Sequence, residues 1–350
     1  MKTTKEGFEE GLEELSKIKE VIALSTSFKK FAEKHPNKYF KTADAGIAAG
    51  MAHEGKTPFV TTVGLGKNWQ QIKEICTNNE NVKIIDLDEE LEDLAIARIL
   101  PNIKVIIPAD YHEAKKATIA AGTTKGPYYI KLLTEKASIT EKTAFTVGRM
   151  EIMRAGKDCT IISNGPALQN AMMAAEKLSK QEVECTVLDS HTIQPIDKHA
   201  LIASARLTGC IVATDRILGS AIAETICQNY PVPVRITTPD NIIAEVKNAV
   251  MLKCEVCGEI VEEHGKKLQL ELRPELYFRL HRGGIIKSIP GLHKALLNMN
   301  EETFTYHCNT NKNDFSIWVK EAFNEPILAK NLDKVHTKLG MMLELTRWLK

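Results

Sequence analysis

The chain has 350 residues, enough for two or three domains at roughly 150 residues each, and its 43% hydrophobic content places it with folded globular proteins rather than disordered ones. Lys+Arg 46 against Asp+Glu 45 leaves a net charge of +1, so no overall basic field gathers nucleic acid or an anionic membrane surface. The opening "MKTTKEGFEEGLEELSKIKE" is charged throughout and lacks a signal peptide's apolar core; with no apolar run of about 18 residues, the sequence predicts a cytoplasmic protein without a membrane span.

Short apolar runs alternate with helical patterns from the start to about residue 250. "VIALST" from Val21, "TPFVTTV" from Thr57, "VKIIDL" from Val82, "IKVIIPA" from Ile103 and "PYYIKLL" from Pro127 are rich in Val, Ile and aromatics and read as strands. Stretches such as "WQQIKEIC" and "ADYHEAKKATIAAG" between them read as helices. Strands apolar on both faces and separated by helices imply a parallel sheet between helical layers. The pattern breaks at the polar "TEKASITEKT" and restarts with "DCTIISNG", whose Gly165 turn leads to Pro166 at a helix start. "VECTVLDSHTIQPID", "KHALIASARLTG", "CIVATD", "GSAIAETICQNY" and "VPVRITTPD" continue a second α/β domain. The expected fold class is α/β, with two open doubly wound sheets, in which ligands lie at the carboxyl ends of strands, plus a small, mainly helical C-terminal module. The expected domains are 1–140, 141–251 and 252–350, the last opening with a charged, strand-like segment.

Cys76, Cys159, Cys185, Cys210 and Cys227 sit singly in apolar patterns, the setting of buried free thiols. Cys254 and Cys257 differ. They form a CxxC before Gly258, half of a tetrahedral zinc site with His264 as the nearest further ligand, or else a reduced structural pair or a redox-active one.

"GIAAGMAHEGKTPFV", "LEDLAIARILPNIKVIIPADYHEAKKA" and "GKDCTIISNGPALQNAMMAAEKLSKQEVECTVLDSHTIQPID" follow one another in an order that resembles the transketolase family, in particular its separate C-terminal-half polypeptide. "GIAAGMAHEGKTPFV" is similar to the helix and strand of the family's pyrimidine-binding domain, and "LEDLAIARILPNIKVIIPADYHEAKKA" to its next helix, strand and helix. "GKDCTIISNGPALQNAMMAAEKLSKQEVECTVLDSHTIQPID" with "GSAIAETICQNYPVPV" resembles its C-terminal domain. The resemblance covers about residues 10 to 250 and implies thiamine diphosphate chemistry, in which a glutamate beside the pyrimidine promotes carbanion formation. It also implies a homo-oligomer, or a hetero-oligomer with a transketolase N-terminal-half chain.

Set against that expectation, Gly46, Ile47 and Ala48 are followed by Ala49 where the family has its glutamate, and Asp44 and Glu54 are the nearest carboxylates. "TVGLGKNWQQIKEI" offers Gly64, Leu65 and Gly66 where an aromatic would stack on the pyrimidine, leaves Lys67 as a cofactor-binding candidate, and places Trp69 in the core. "LDEE" spans the gap in which the family has a glycine-rich loop with a histidine, and "ATDRILGSA" is shorter than its counterpart. His191 matches a family position at a strand exit and is the second cofactor-binding candidate. No Gly-Asp-Gly occurs, so the diphosphate and its Mg²⁺ would need a partner chain.

These departures favour a catalytically impaired relative, a pseudoenzyme or scaffold that binds a partner. The alternative is the C-terminal-half subunit of a thiamine-diphosphate-dependent transketolase, transferring ketol groups between sugar phosphates together with a diphosphate-binding chain. In the last module, "FTYHCNTNKNDFSIWVKEAF" predicts that Asn313 and Asp314 cap a helix anchored by Phe315 and Trp318. The basic and apolar tail beyond it reads as a packed amphipathic helix.

Overall fold

Val21 to Leu24 are apolar without alternation and all buried, which a strand achieves only when both faces are covered. The computed structural model describes every residue except 1, 63, 89–91, 135–136, 258–273, 282, 324 and 350, and gives only the backbone of 254–257, 274, 346–347 and 349. The chain divides into two units, Met1–Lys253 and Cys254–Lys350.

The first unit begins with α1 (Thr4–Ser16), β1 (Val21–Leu24), α2 (Lys29–Lys34), β2 (Tyr39–Phe40), α3 (Ala45–His53), β3 (Thr57–Thr61) and α4 (Trp69–Thr77). β4 (Lys83–Asp86), α5 (Glu92–Ile99), β5 (Lys104–Ile106), α6 (Tyr111–Thr123) and β6 (Tyr128–Lys131) follow. It continues with β7 (Glu151–Arg154), β8 (Cys159–Ser163), α7 (Ala167–Ser179), β9 (Cys185–Asp189) and β10 (Thr192–Gln194), then α8 (Lys198–Thr208), β11 (Ile211–Ala213), α9 (Arg216–Asn229), β12 (Val234–Ile236) and α10 (Ile242–Cys257), whose last four residues fall in the second unit.

Two sheets result, ordered β10-β5-β6-β4-β3-β1-β2 and β12-β11-β8-β9-β7. Every pairing is parallel except the antiparallel edges β10 on β5 and β7 on β9. Alternate residues serve opposite layers: Val21, Ala23 and Phe59 pack with Phe8, Leu12 and Leu15 of α1, while Ile22, Leu24 and Val60 pack towards α3 and α4. That second layer also takes in Ile162, Leu188 and Ile211 of the other sheet, so the two sheets share one core. On the far side of β8 and β9, α7 and α10 cover Cys159, Ile161 and Val187. α1 crosses α6 so closely that a Cβ on Gly7 would lie 2.0 Å from the Tyr111 carbonyl oxygen.

The second unit holds the short hairpin of β13 (Phe278–Arg279) and β14 (Ile285–Ile286), then α11 (Ile289–Asn298) and α12 (Glu301–His307). A second hairpin joins β15 (Cys308–Asn309) and β16 (Lys312–Asn313), and α13 (Asp314–Phe323), α14 (Pro326–Asp333) and α15 (Lys338–Leu349) complete it. Asn313 Oδ1 accepts the Ser316 amide at 3.0 Å while its Nδ2 donates to the Leu332 carbonyl at 2.8 Å, and Phe315 and Trp318 are buried. Leu328, Leu332, Met341 and Leu345 bring the tail into the same core, as the amphipathic pattern requires.

Three expectations are corrected. Trp69 is 38% exposed, because α4 buries Ile72, Ile75 and Cys76 and the loop residue Leu65 fills the neighbouring core position. Cys227 is exposed, since α9 turns Leu218, Ala221, Ile222, Thr225 and Ile226 inward. The segment from Leu252 opens as helix: α10 runs to Cys257.

Candidate functional site at the strand ends

Doubly wound sheets place ligands at the carboxyl ends of their strands. In the first sheet the sequence singles out the start of α3 there. Asp44 is extended (φ −94°) and its Oδ1 accepts the Ile47 amide at 3.0 Å, so this carboxylate is the N-cap of the helix. Glu54 stands at the opposite end, as the C-cap. Between them "AGIAAGMAH" supplies no acid, buries only Ala45 and Ala48, and leaves Ile47 47% exposed.

After β3, Thr62 Oγ1 accepts the Gly64 amide at 3.1 Å and turns the chain. Gly64 takes φ +106°, a conformation few side chains tolerate. The turn aims Leu65 into the core, where its amide donates to Asp93 Oδ2 at 2.7 Å, and leaves Lys67 in solvent. Among the described residues of this turn, Gly64, Leu65, Gly66 and Lys67 offer no flat side chain to stack on a ring.

β4 ends at Asp86 and α5 begins at Glu92, with residues 89–91 between them outside the described residues. Asp86 and Lys131 are direct partners on adjacent strands, both fully buried, with Nζ 2.8 Å from Oδ2. Lys131 also donates to the Asp88 carbonyl at 2.9 Å, the Asp88 amide donates to Asp86 Oδ1 at 2.9 Å, and the Tyr129 hydroxyl donates to Asp86 Oδ2. Burial, reinforced by the Asp86 carboxylate, pushes the Tyr129 phenol up, so it stays a donor. This pair ties the ends of β4 and β6 together.

His191, between β9 and β10, is fully buried and stacks on Phe145 at 4.2 Å. Its Nδ1 lies 2.9 Å from the Thr192 hydroxyl, and Nε2 has no partner. Burial, helped by the nearby Lys116 charge, lowers its pKa to about 4, so the ring is neutral at physiological pH. Lys116 is itself held by the carbonyls of Thr140 at 2.6 Å and Thr143 at 2.8 Å. At the start of α6, Asp110 caps the helix through the Glu113 amide (3.0 Å) and accepts the amides of Ile139 (2.7 Å) and Thr140 (2.8 Å). Burial alone would raise the Asp110 pKa; these bonds and the Thr140 hydroxyl outweigh it and hold the carboxylate ionised.

The two cofactor-binding candidates thus occupy different environments: Lys67 lies in solvent, and His191 is sealed within the core. Cys254 and Cys257 fall one helical turn apart at the end of α10; their side chains, Gly258 and His264 lie outside the described residues. Among the described residues no three His, Cys, Asp or Glu side chains gather as a metal cluster, and no helix is long and apolar enough to cross a membrane. Sequence reasoning missed the buried charges Asp86, Lys131, Glu113 and Asp189, whose only signal was a charged letter ending an apolar strand or opening a helix.

The residues described around α3 do not fit the aminopyrimidine of thiamine diphosphate in the way the resemblance implies. The acid nearest the helix start is engaged as its cap, and the loop residue at the stacking position points inward.

Comparison with known proteins bears on the same span. Residues 148–254 match the family described as transketolase, C-terminal domain. The 6-deoxy-6-sulfo-D-fructose transketolase subunit SqwH of Clostridium sp. (strain MSTE9) is 31% identical over 258 residues, 64% of this chain and 80% of that protein. A putative transketolase C-terminal section of Methanocaldococcus jannaschii is 29% identical over 262 residues, 65% of this chain and 83% of that one. A solved structure described as a split gene transketolase, inactive beta4 tetramer, superposes with a TM-score of 0.68 at 30% identity, covering 72% of this chain and 99% of that chain. This chain belongs to the transketolase family, as a polypeptide of its C-terminal half.

Proposed function

We propose that this chain is the C-terminal-half subunit of a two-chain, transketolase-type assembly, working with a separate chain that supplies the diphosphate and magnesium half. The observation that carries the reading is coverage: the chain spans 80% of a protein named as a transketolase subunit and 99% of a split-gene chain. The reaction implied is ketol transfer between sugar phosphates. A second reading, a silent subunit that keeps the fold for partner binding, is favoured by one specific feature: Asp44 is engaged as the cap of α3, and no acid lies within that helix.

The experiment mixes the purified chain with the diphosphate-binding half from the same genome, thiamine diphosphate and Mg²⁺, and follows ketose consumption. Turnover by the mixture, and by neither chain alone, supports the active subunit. A stable complex without turnover supports the silent one. Absence of any complex overturns both.

A further inference from the structure

Glu113, on the first turn of α6, and Asp189, at the end of β9, are both fully buried where the two sheets meet. Glu113 Oε2 accepts the Ala109 amide at 2.7 Å, but Glu113 Oε1 and both Asp189 oxygens have no donor. Two ionised carboxylates cannot supply one another with a donor, and a buried, unpaired charge is far costlier than a protonated acid. A single proton between them gives one acid an O–H and the other an acceptor, as in other close carboxyl pairs.

We propose that Glu113 and Asp189 share one proton across the junction of the two sheets, making that junction a pH-operated joint whose opening releases the proton and so becomes easier as the pH rises. The charged groups around the pair reinforce this. On α6 itself, Asp110 adds a negative charge three residues before Glu113, and Lys116 an opposing positive one three residues after it. Glu151, which faces Asp189 across the β7–β9 pairing, adds another negative charge. Burial raises both acids above their ordinary range, and the charge of Glu113 beside it raises Asp189 further. The pair therefore titrates as a unit and holds a proton above the pH at which free carboxyls have lost theirs.

The direction follows from linkage. The folded chain retains protons that the unfolded chain releases below about pH 5, so each retained proton lowers the folding equilibrium constant about tenfold per pH unit as pH rises. His191, lowered to about 4, acts oppositely but only below its unfolded value, so the informative window lies above pH 6.5. Glu113→Gln keeps the shape, its amide donates to Asp189, and one retained proton is removed.

The test measures denaturant unfolding of the full chain from pH 6.5 to 8.5 for wild type, Glu113→Gln and Asp189→Asn. The wild-type equilibrium constant is expected to fall relative to either variant by up to tenfold per pH unit; parallel profiles overturn the proposal. Infrared spectra give a reading that does not depend on the variants' stability. A protonated-carboxyl band is expected in wild type at pH 7.5 and should vanish in the double variant; a wild-type spectrum without it overturns the shared proton. Amide exchange of Ile107, whose N–H donates to the His191 carbonyl at 2.8 Å across the junction, reports the joint itself. It is expected to be faster in wild type than in Glu113→Gln at pH 8, and equal rates would refute the easier opening.

Discussion

Replacing Asp86 by Ala removes the counter-ion of Lys131 at a place where neither side chain reaches water. It also strips the Tyr129 hydroxyl and the Asp88 amide of their acceptor. Breaking a buried pair from one side typically costs about 3–5 kcal/mol, because the remaining charge keeps its desolvation penalty without compensation. Replacing both partners by apolar residues of similar size, Asp86→Leu with Lys131→Met, removes the charge penalty and the attraction together but still leaves the Tyr129 hydroxyl and the Asp88 amide without their acceptor, so it is expected to cost about 2–4 kcal/mol, well short of the summed singles. The assay is urea denaturation at pH 7 followed by far-ultraviolet circular dichroism, run on wild type, both single variants and the double variant. The interaction energy from the cycle should be several kcal/mol, the signature of directly coupled groups. A single variant that loses less than about 1 kcal/mol, or a double variant as unstable as the sum of the singles, would refute the idea that this pair ties β4 to β6.

Other consequences follow from buried groups elsewhere. Between pH 6.5 and 4 the unfolded chain protonates His191 while the folded chain keeps it neutral, so stability falls by up to roughly 3 kcal/mol as the solution is acidified through that range. His191→Phe should flatten that acid limb relative to wild type in denaturation measured at several pH values; an unchanged slope would contradict the neutral, sealed ring. Asn313→Ala removes the cap on Ser316 and the donor to Leu332 and is expected to cost about 2–3 kcal/mol. Hydrogen exchange should show the loss in α13, and protection equal to wild type would count against the capping role.

The core strands were legible because β1, β3, β4, β5, β6, β8, β9 and β11 lie in short runs dominated by Val, Ile and aromatics that need cover on both faces. The edges were not. β2, β7 and β10 have two to four residues, Ile152 on β7 points into solvent, and β10 leaves the second α/β segment to pair with β5. Such pairings are set by tertiary contact rather than by local pattern. For the site, the departures around α3 were readable as letters, since a helix spelled AGIAAGMAH contains no acid. The burial of His191 and the two carboxyl groupings was not readable, because Asp86 and Lys131 meet only through strand register, and Glu113 meets Asp189 only where two sheets dock. Trp69 illustrates the same limit: its helical face was ambiguous until Leu65 occupied the core position beside it.

The central claim is that this polypeptide acts as one half of a two-chain assembly. Size-exclusion chromatography with light scattering, on this chain and the candidate diphosphate-binding half separately and mixed, tests it most directly. The account expects a new species whose mass contains both chains, and no heat of thiamine diphosphate and Mg²⁺ binding to this chain alone. Two separate peaks of unchanged mass, or cofactor binding and ketose turnover by this chain without a partner, would contradict it.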